Sequence, residues 1–272
     1  MNFIMGSHFA SPFNIYNNMD MIKEITSTDN KIYKQAKKLL TRAERYKTGL
    51  FLAEGRRIVE DAVLSGAASH IFVSENYDGE RYSLPTYKIG EKMFSALSDT
   101  ETTQGIIAVC SMKKCELSKI SGDTVLVSDG VSDPGNLGTL IRTAECSGVG
   151  GVVLLKGSVD PYSPKVVRST MGSVFRVPLY FAQADELNIY MKDYNFAVTM
   201  LDGSTELFDI KFPHKTAVVV GNEAHGVSDE LAKMATVRVF IPMCGNAESL
   251  NAAVAGSVVM YEIFRQKSAG EL

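Results

Sequence analysis

Residues 124–148, TVLVSDGVSDPGNLGTLIRTAECSG, pass from a short apolar run through a glycine-rich loop into a helical pattern. Thr124-Val125-Leu126-Val127 shows no alternation of polar and apolar residues, which is how a strand buried on both faces of a parallel sheet reads. In the loop at 129–138 the glycines permit tight turns and close backbone approach, and the spacing predicts a helix from near Thr139 that carries Arg142. The same order recurs downstream. Apolar runs at 151–155, 196–200 and 216–220 alternate with helical segments, and a run at 237–241 precedes a last helix rich in small residues (Ala252, Ala253, Ala255, Gly256). A parallel α/β region of about 150 residues follows from that alternation.

Upstream, Ile32, Ala36, Leu39 and Leu40 fall on one helical face with lysines on the other, and a turn at Lys47-Thr48-Gly49 follows. Apolar runs at 50–53, 70–73 and 105–110 read as strands, and 56–64 and 91–97 as helices. These make a smaller α/β unit, here bounded at 21–112, with the polar stretch 113–123 as a linker and 124–268 as the main domain. Residues 1–20 carry almost no charge and lack the basic start and continuous apolar stretch of a signal peptide, so they are expected to be a disordered extension.

Apolar residues at 45% and charged residues at 22% match an ordinary soluble globular protein and exclude a fibrous or membrane class. Apolar runs are too short to span a bilayer. Cys110, Cys115, Cys146 and Cys244 show neither C-x-x-C spacing nor nearby histidines, which predicts reduced thiols in a cytoplasmic protein without a metal site. The net charge of −3 argues against a uniformly basic nucleic-acid binder, but 31–57 is locally about +7. By itself such a run is more often a solvated helix face.

In open parallel sheets ligands bind beyond the carboxyl ends of the strands. Three loops stand there: 129–138, 221–226 and 241–251. No phosphate-binding G-x-x-x-x-G-K-[ST] is present, and the glycines at 148, 150 and 151 precede a strand, so they are no dinucleotide fingerprint. A neutral or zwitterionic ligand held by loop backbone fits better than a polyphosphate.

Together DPGNLGTLIRTAECSG (133–148), VGNEAHGVS (220–228) and IPMCGNAESLNAAVA (241–255) resemble the three signature motifs of the SPOUT-class ribose 2′-O-methyltransferases, the SpoU/TrmH branch. A fourth stretch, VVRSTMGSVFRVP (166–178), is similar to the segment between the first two motifs, and the resemblance runs over roughly 124–266. It implies a parallel-sheet SPOUT domain with a trefoil knot, preceded by a smaller α/β RNA-binding domain similar to certain ribosomal proteins. It also implies a homodimer formed through the last helix. The expected activity is methyl transfer from S-adenosylmethionine to a ribose 2′-hydroxyl of structured RNA, rRNA in the first place. A tRNA 2′-O-methyltransferase and a non-catalytic RNA-binding member of the fold are the alternatives.

Residue by residue, Arg142 matches the family's catalytic arginine. A ribose hydroxyl is a weak nucleophile, and a guanidinium beside substrate phosphate can position it and stabilise the developing alkoxide. With a pKa of about 12 or above, arginine is a poor conventional base. Outside this motif, pairing with a surface carboxylate would be the better reading. Asn136, Glu223, Ser249 and Asn251 complete the expected catalytic set, with Glu223 orienting Arg142 or the substrate. Asn136 competes with plain turn chemistry, and Ser249 and Asn251 with helix capping. The cofactor falls to Gly221, Ile241, Met243 and Leu250. His225 is assigned no role. For RNA, the resemblance gives weight to Lys34, Lys37, Lys38, Arg42, Arg45, Arg56 and Arg57, with Arg168 and, less strongly, Arg176 from the fourth stretch, all as phosphate contacts. A dinucleotide-dependent oxidoreductase would share the α/β architecture, and the missing fingerprint weighs against it.

Overall fold

The computed structural model describes residues 22–200, 204–246 and 249–272, and the expected extension at 1–20 lies outside them. Two sheets organise the chain. The first is five-stranded, in the order β1-β4-β3-β5-β2. Its strands are β1 (Ile22–Ile25), β2 (Leu50–Glu54), β3 (Ala68–Ser74), β4 (Thr86–Ile89) and β5 (Ile106–Ser111). Helices α1 (Lys31–Lys38), α2 (Arg42–Thr48), α3 (Arg56–Leu64) and α4 (Glu91–Leu97) connect them. The helical pattern that begins at 31 breaks at Leu39, because the Thr41 side chain accepts from the Glu44 N–H and starts a second helix.

The second sheet is seven-stranded and parallel at every pairing, in the order β10-β12-β9-β11-β6-β7-β8. It comprises β6 (Thr124–Asp129), β7 (Val152–Leu154), β8 (Leu179–Phe181), β9 (Asn195–Thr199), β10 (Thr205–Glu206), β11 (Thr216–Gly221) and β12 (Val237–Phe240). Between and after them run α5 (Pro134–Cys146), α6 (Pro164–Ser169), α7 (Ala184–Tyr190), α8 (Asp229–Lys233) and α9 (Ala252–Ser268). Strands of two to four residues (β4, β8, β10) carry too little pattern to be read from sequence. They are held by neighbours distant in the chain.

The period-2 geometry of the strands decides what packs where. Leu126, Val152, Leu154, Val218 and Val220 point to the face covered by α5, α6 and α9, while Val125, Val127, Val153, Ala217 and Val219 join Leu187 of α7 and Leu231 of α8 on the other. In the first sheet, Phe51, Ala53, Ile71, Ile106 and Ala108 turn towards α3 and belong to the same continuous core as α5 and α6. Leu52, Phe72, Ile107 and Val109 turn away, towards α1 and α4. The smaller unit is thus docked through its inner face, with Phe51 packed on Tyr162 and Phe175. The stretch expected as linker is itself anchored, for Leu117 is buried.

This docking corrects one expectation directly. Arg45 is no phosphate contact. It is only 4% exposed, and its Nε and Nη2 donate to Asp160 Oδ2 at 3.0 and 2.5 Å. Its Nη1 donates to the Leu39 and Leu40 carbonyls at 2.8 and 2.9 Å. A guanidinium buried so deeply needs every donor satisfied, and here it joins α2 to the loop after β7. Arg176 likewise lies between Asp61 of α3 and Glu145 of α5, its Nη1 3.2 Å from Asp61 Oδ1, and holds the Glu145 carboxyl below its ordinary range.

Arg45→Ala leaves Asp160 as an uncompensated buried charge, so a loss of about 3–5 kcal/mol is expected. The urea unfolding midpoint measures it. A change below ~1 kcal/mol, the scale of a surface residue, would contradict the assignment.

Candidate active site

Register brings the first two loops together. Thr216 pairs with Thr124 and the ladder runs to Gly221 beside Asp129, so the chain leaves β6 and β11 at the same height on the carboxyl edge. The β11 loop then closes on itself through Asn222 N–H to Gly226 O and Gly226 N–H to Asn222 O, both 2.9 Å. A Cβ on Gly221 would sit 2.2 Å from the Gly226 carbonyl carbon, so only glycine allows this fold-back.

Glu223 links the two loops. Its Oε2 accepts from the Ser132 N–H and Oγ–H at 3.0 and 2.9 Å, and its Oε1 from the Asp133 N–H at 3.1 Å and the Asn136 amide at 2.8 Å. Partial burial opposes its ionisation, but these donors outweigh that and bring its pKa down to about 2. The expectation that Glu223 orients Arg142 is corrected, because its lone pairs are taken up by the β6 loop. Asn222 adds a second tie, its amide donating to the Gly130 carbonyl at 2.9 Å, and the Ser228 N–H donates to Asp129 Oδ2 at 2.7 Å. Asp129, Ser132 and Asn222 carry no sequence signal beyond loop composition, because their partners lie about 90 residues or more away.

The helix after the β6 loop begins at Pro134, five residues before the expected start. Asp133 Oδ1 accepts from the Asn136 N–H at 2.8 Å, and proline occupies the first turn. That Asp-Pro pair is an ordinary start signal outweighed in the sequence reading by the neighbouring glycines. Asn136 therefore sits in the first turn of a helix. Its amide donates to Glu223 while its Oδ1 accepts from the Asn251 amide at 2.9 Å. Asn251 in turn caps α9, accepting from the Ala253 and Val254 N–H groups at 2.9 and 3.3 Å. One chain of side chains, Glu223 to Asn136 to Asn251, fixes all three loops.

The small residues of α9 also find their reason. A Cβ on Gly256 would lie 2.6 Å from a Leu140 methyl carbon and 2.7 Å from one of Val220, so glycine lets α9 lie against α5 and β11 together. Ser257 Oγ donates to Thr143 Oγ1 at 2.9 Å in the same contact.

Between the β9, β11 and β12 ends lies a cavity of about 580 Å³, lined by Gly221, Ile241, Met243 and Leu250, with Glu223, Ser249 and Asn251 at its wall. Its volume suits a cofactor-sized ligand. No lysine or arginine among the described residues lines it, so a polyphosphate finds no counter-charge there. His225 is exposed and engaged through its backbone N–H to Asn222 Oδ1 at 3.1 Å. Among the described residues no cluster of ligating side chains could hold a metal ion.

Arg142 stands outside the cavity, on the exposed face of α5, with no hydrogen bond or ion pair among the described residues. The other basic residues divide. Lys34 pairs with Asp29 at 2.6 Å, and Lys37 and Lys38 are exposed on α1, the outer layer. Arg56 pairs with Asp78 at 2.7 Å and Arg57 is exposed. Arg42 lies 5.3 Å over the Tyr46 ring. Arg168 is half-buried, with Nη2 2.8 Å from Asp99 Oδ2 and Nη1 buried without a partner. The structure does not bring them into one patch.

A parallel sheet with three cross-braced loops over a cofactor-sized cavity defines an α/β protein with a ligand site at the carboxyl edge of its sheet. Residues 123–261 match the SpoU rRNA Methylase family and residues 30–108 the MRM3-like substrate binding domain. The chain is 38% identical over 251 residues, 89% of it and 99% of the relative, to the 23S rRNA (guanosine(2553)-2′-O)-methyltransferase RlmP of Bacillus subtilis. The AdoMet-bound rRNA methyltransferase of Sinorhizobium meliloti superposes with a TM-score of 0.80 at 31% identity, covering 90% of this chain and 98% of that one. The SpoU methyltransferase AviRb of Streptomyces viridochromogenes, in complex with AdoMet, does so with a TM-score of 0.80 at 28% identity, covering 88% and 98%. This chain belongs to the SpoU rRNA methylase family.

Because the folded pKa of Glu223 is depressed, its contribution is complete above the ordinary glutamate value of about 4.3 and is lost as pH falls towards 2. S-adenosylmethionine affinity is therefore expected to be insensitive to this group between pH 5 and 8. Glu223→Gln turns acceptor positions towards donors, and a melting temperature lower by about 2–4 °C with weaker cofactor binding is expected. Calorimetry of both quantities checks this, and an unchanged cofactor affinity would count against the bracing role.

Proposed function

We propose that this chain transfers the methyl group of S-adenosylmethionine to a ribose 2′-hydroxyl of ribosomal RNA. The observation that carries the reading is Arg142, exposed and unpaired on the helix whose first turn is tied through Asn136 to both other loops. The cofactor, when bound, supplies an activated methyl group. Gly221, Ile241, Met243 and Leu250 would hold it, with Ser249 at the rim.

Arg142 acts as the catalytic residue. Its guanidinium places the substrate phosphate and hydroxyl and offsets the charge that develops on the 2′-oxygen as the O–H bond weakens. Because it stays protonated, the proton leaves through the phosphate or water. Glu223, Asn136 and Asn251 are positioning residues that hold the loops and the first turn of α5. For RNA, Lys37, Lys38, Arg42 and Arg57, with no ion pair among the described residues, are the phosphate contacts; Lys34, Arg56 and Arg168 reach a phosphate only by leaving Asp29, Asp78 and Asp99.

The same reading takes 21–112 as the RNA-binding domain, similar to certain ribosomal proteins, 113–123 as its connection and 124–268 as the SPOUT domain. A trefoil knot accords with β12 entering between β9 and β10 before the chain returns across β11 to α9. A homodimer accords with Val254, Tyr261 and Phe264 of α9, an exposed apolar stripe at helical spacing. A cytoplasmic location accords with an RNA substrate; no helix among the described residues is long and apolar enough to cross a membrane.

Arg142→Ala is expected to lower methyl transfer to unmethylated rRNA by about 10²–10³-fold with S-adenosylmethionine binding retained. Tritiated methyl incorporation read by ribose-specific mass spectrometry checks it, and full activity would refute the assignment. Tyr261→Asp is expected to give a monomer in sedimentation, and an unaltered assembly would remove the α9 interface.

A further inference from the structure

Tyr46 and Phe181 are exposed at 41% and 45%, and they meet across the junction of the two units. Their centroids are 5.8 Å apart with planes at 79°, so the two rings meet edge to face and make a corner at the surface. The corner is rigid. The Tyr46 hydroxyl donates to Asp160 Oδ1 at 3.1 Å, and Asp160 is the buried partner of Arg45. Phe181 backs onto buried Tyr162, 6.5 Å away.

Position and charge indicate what the corner receives. Phe181 ends β8, and Leu154 of β7 is its register partner, itself next to Ser128 of β6. It therefore lies on the carboxyl edge that carries the cofactor cavity, three strand spacings from Gly221, about 14 Å. Arg42 lies over one face of the Tyr46 ring, and exposed Lys156 leaves β7 two residues beyond Leu154; neither has an ion pair among the described residues. Of the carboxylates on these elements, Asp160 is buried and paired with Arg45, and Asp185 and Glu186 cap the start of α7, accepting from the Glu186 and Gln183 N–H groups. A pair of rings flanked by free cations fits a flat aromatic group attached to an anion.

We propose that the Tyr46–Phe181 corner is a stacking site for one unpaired base of the RNA substrate, with Arg42 and Lys156 on the adjoining phosphates. The proposal rests on the RNA-methyltransferase reading and adds a second point of hold beside Arg142. Such stacking tolerates any base, since each has a π-face. It favours a substrate segment held open, because a paired base has no free face to offer. A rigid site also gains affinity by losing little freedom on binding.

The chain contains no tryptophan, so Phe181→Trp installs a single reporter at the corner. With rRNA from cells lacking the gene, and with a hairpin RNA carrying an unpaired loop, quenching of its emission is expected. A blunt RNA duplex of equal length should leave it unchanged. Equal quenching by the duplex, or none by either RNA, would overturn the proposal. In direct binding to the same rRNA, Phe181→Ala is expected to weaken affinity about tenfold, equivalent to ~1.4 kcal/mol, with S-adenosylmethionine affinity as the folding control. Phe181→Tyr should restore binding and Phe181→Leu should not; rescue by leucine would mean that only apolar area matters and would overturn it. Conversion of the Phe181→Ala protein to a smaller species in sedimentation would identify the corner as a contact between copies of this chain, and would overturn it as well. Quenching without methyl transfer would refute the enzymatic reading and leave the stacking site standing, whereas transfer with no response at position 181 would do the reverse.

Discussion

Glu223 is a solvent-facing carboxylate, yet three segments distant in sequence depend on it. Two strands leave their sheet side by side at Gly221 and Asp129, and the loops that follow would each be free to wander. A single ionised group accepting from Ser132, Asp133 and Asn136 removes that freedom for the β6 loop, and Asn136 passes the constraint to Asn251. Charge-assisted hydrogen bonds are about twice as strong as neutral ones, and several converging on one group hold each other in place. The cavity, the first turn of α5 and the cap of α9 thus share one anchor, and the orientation of Arg142 is inherited from it.

A second buried contact does for the whole molecule what Glu223 does for the site. The Arg45–Asp160 pair and the shared core through Phe51, Tyr162 and Phe175 fix the smaller unit against α5 and α6. A buried ion pair contributes little net stability compared with apolar packing, but it penalises any arrangement that separates the partners. Its worth here is geometric. Side chains on the smaller unit therefore stand at fixed distances from Arg142.

Legibility followed the range of the interactions. The core strands β6, β9 and β11 were readable because each is a continuous apolar run, and α3 and α4 because their apolar spacing is local. In contrast, β4, β8 and β10 are short and exist through partners on neighbouring strands. The start of α5 is masked locally by glycines at 135 and 138, which favour a loop, whereas Asp133 and Pro134 favour a helix and prevail. At the site, Gly221, Ile241, Met243 and Leu250 do meet at one cavity. The role of Glu223 as a brace was not readable, since nothing around position 223 reveals Ser132 or Asn136.

The basic run at 31–57 shows the division most clearly. By itself the sequence determined a parallel α/β sheet, the three loops at its carboxyl edge and the chemical types they carry, because periodicity and glycine placement act over a few residues. Tertiary structure alone decided which charges are available. It buried Arg45 against a carboxylate 115 residues away, paired Lys34, Arg56 and Arg168, and left Arg142 free. Formal charge is written in the chain, but whether it is satisfied within the protein or offered to a ligand depends on contacts that only folding creates.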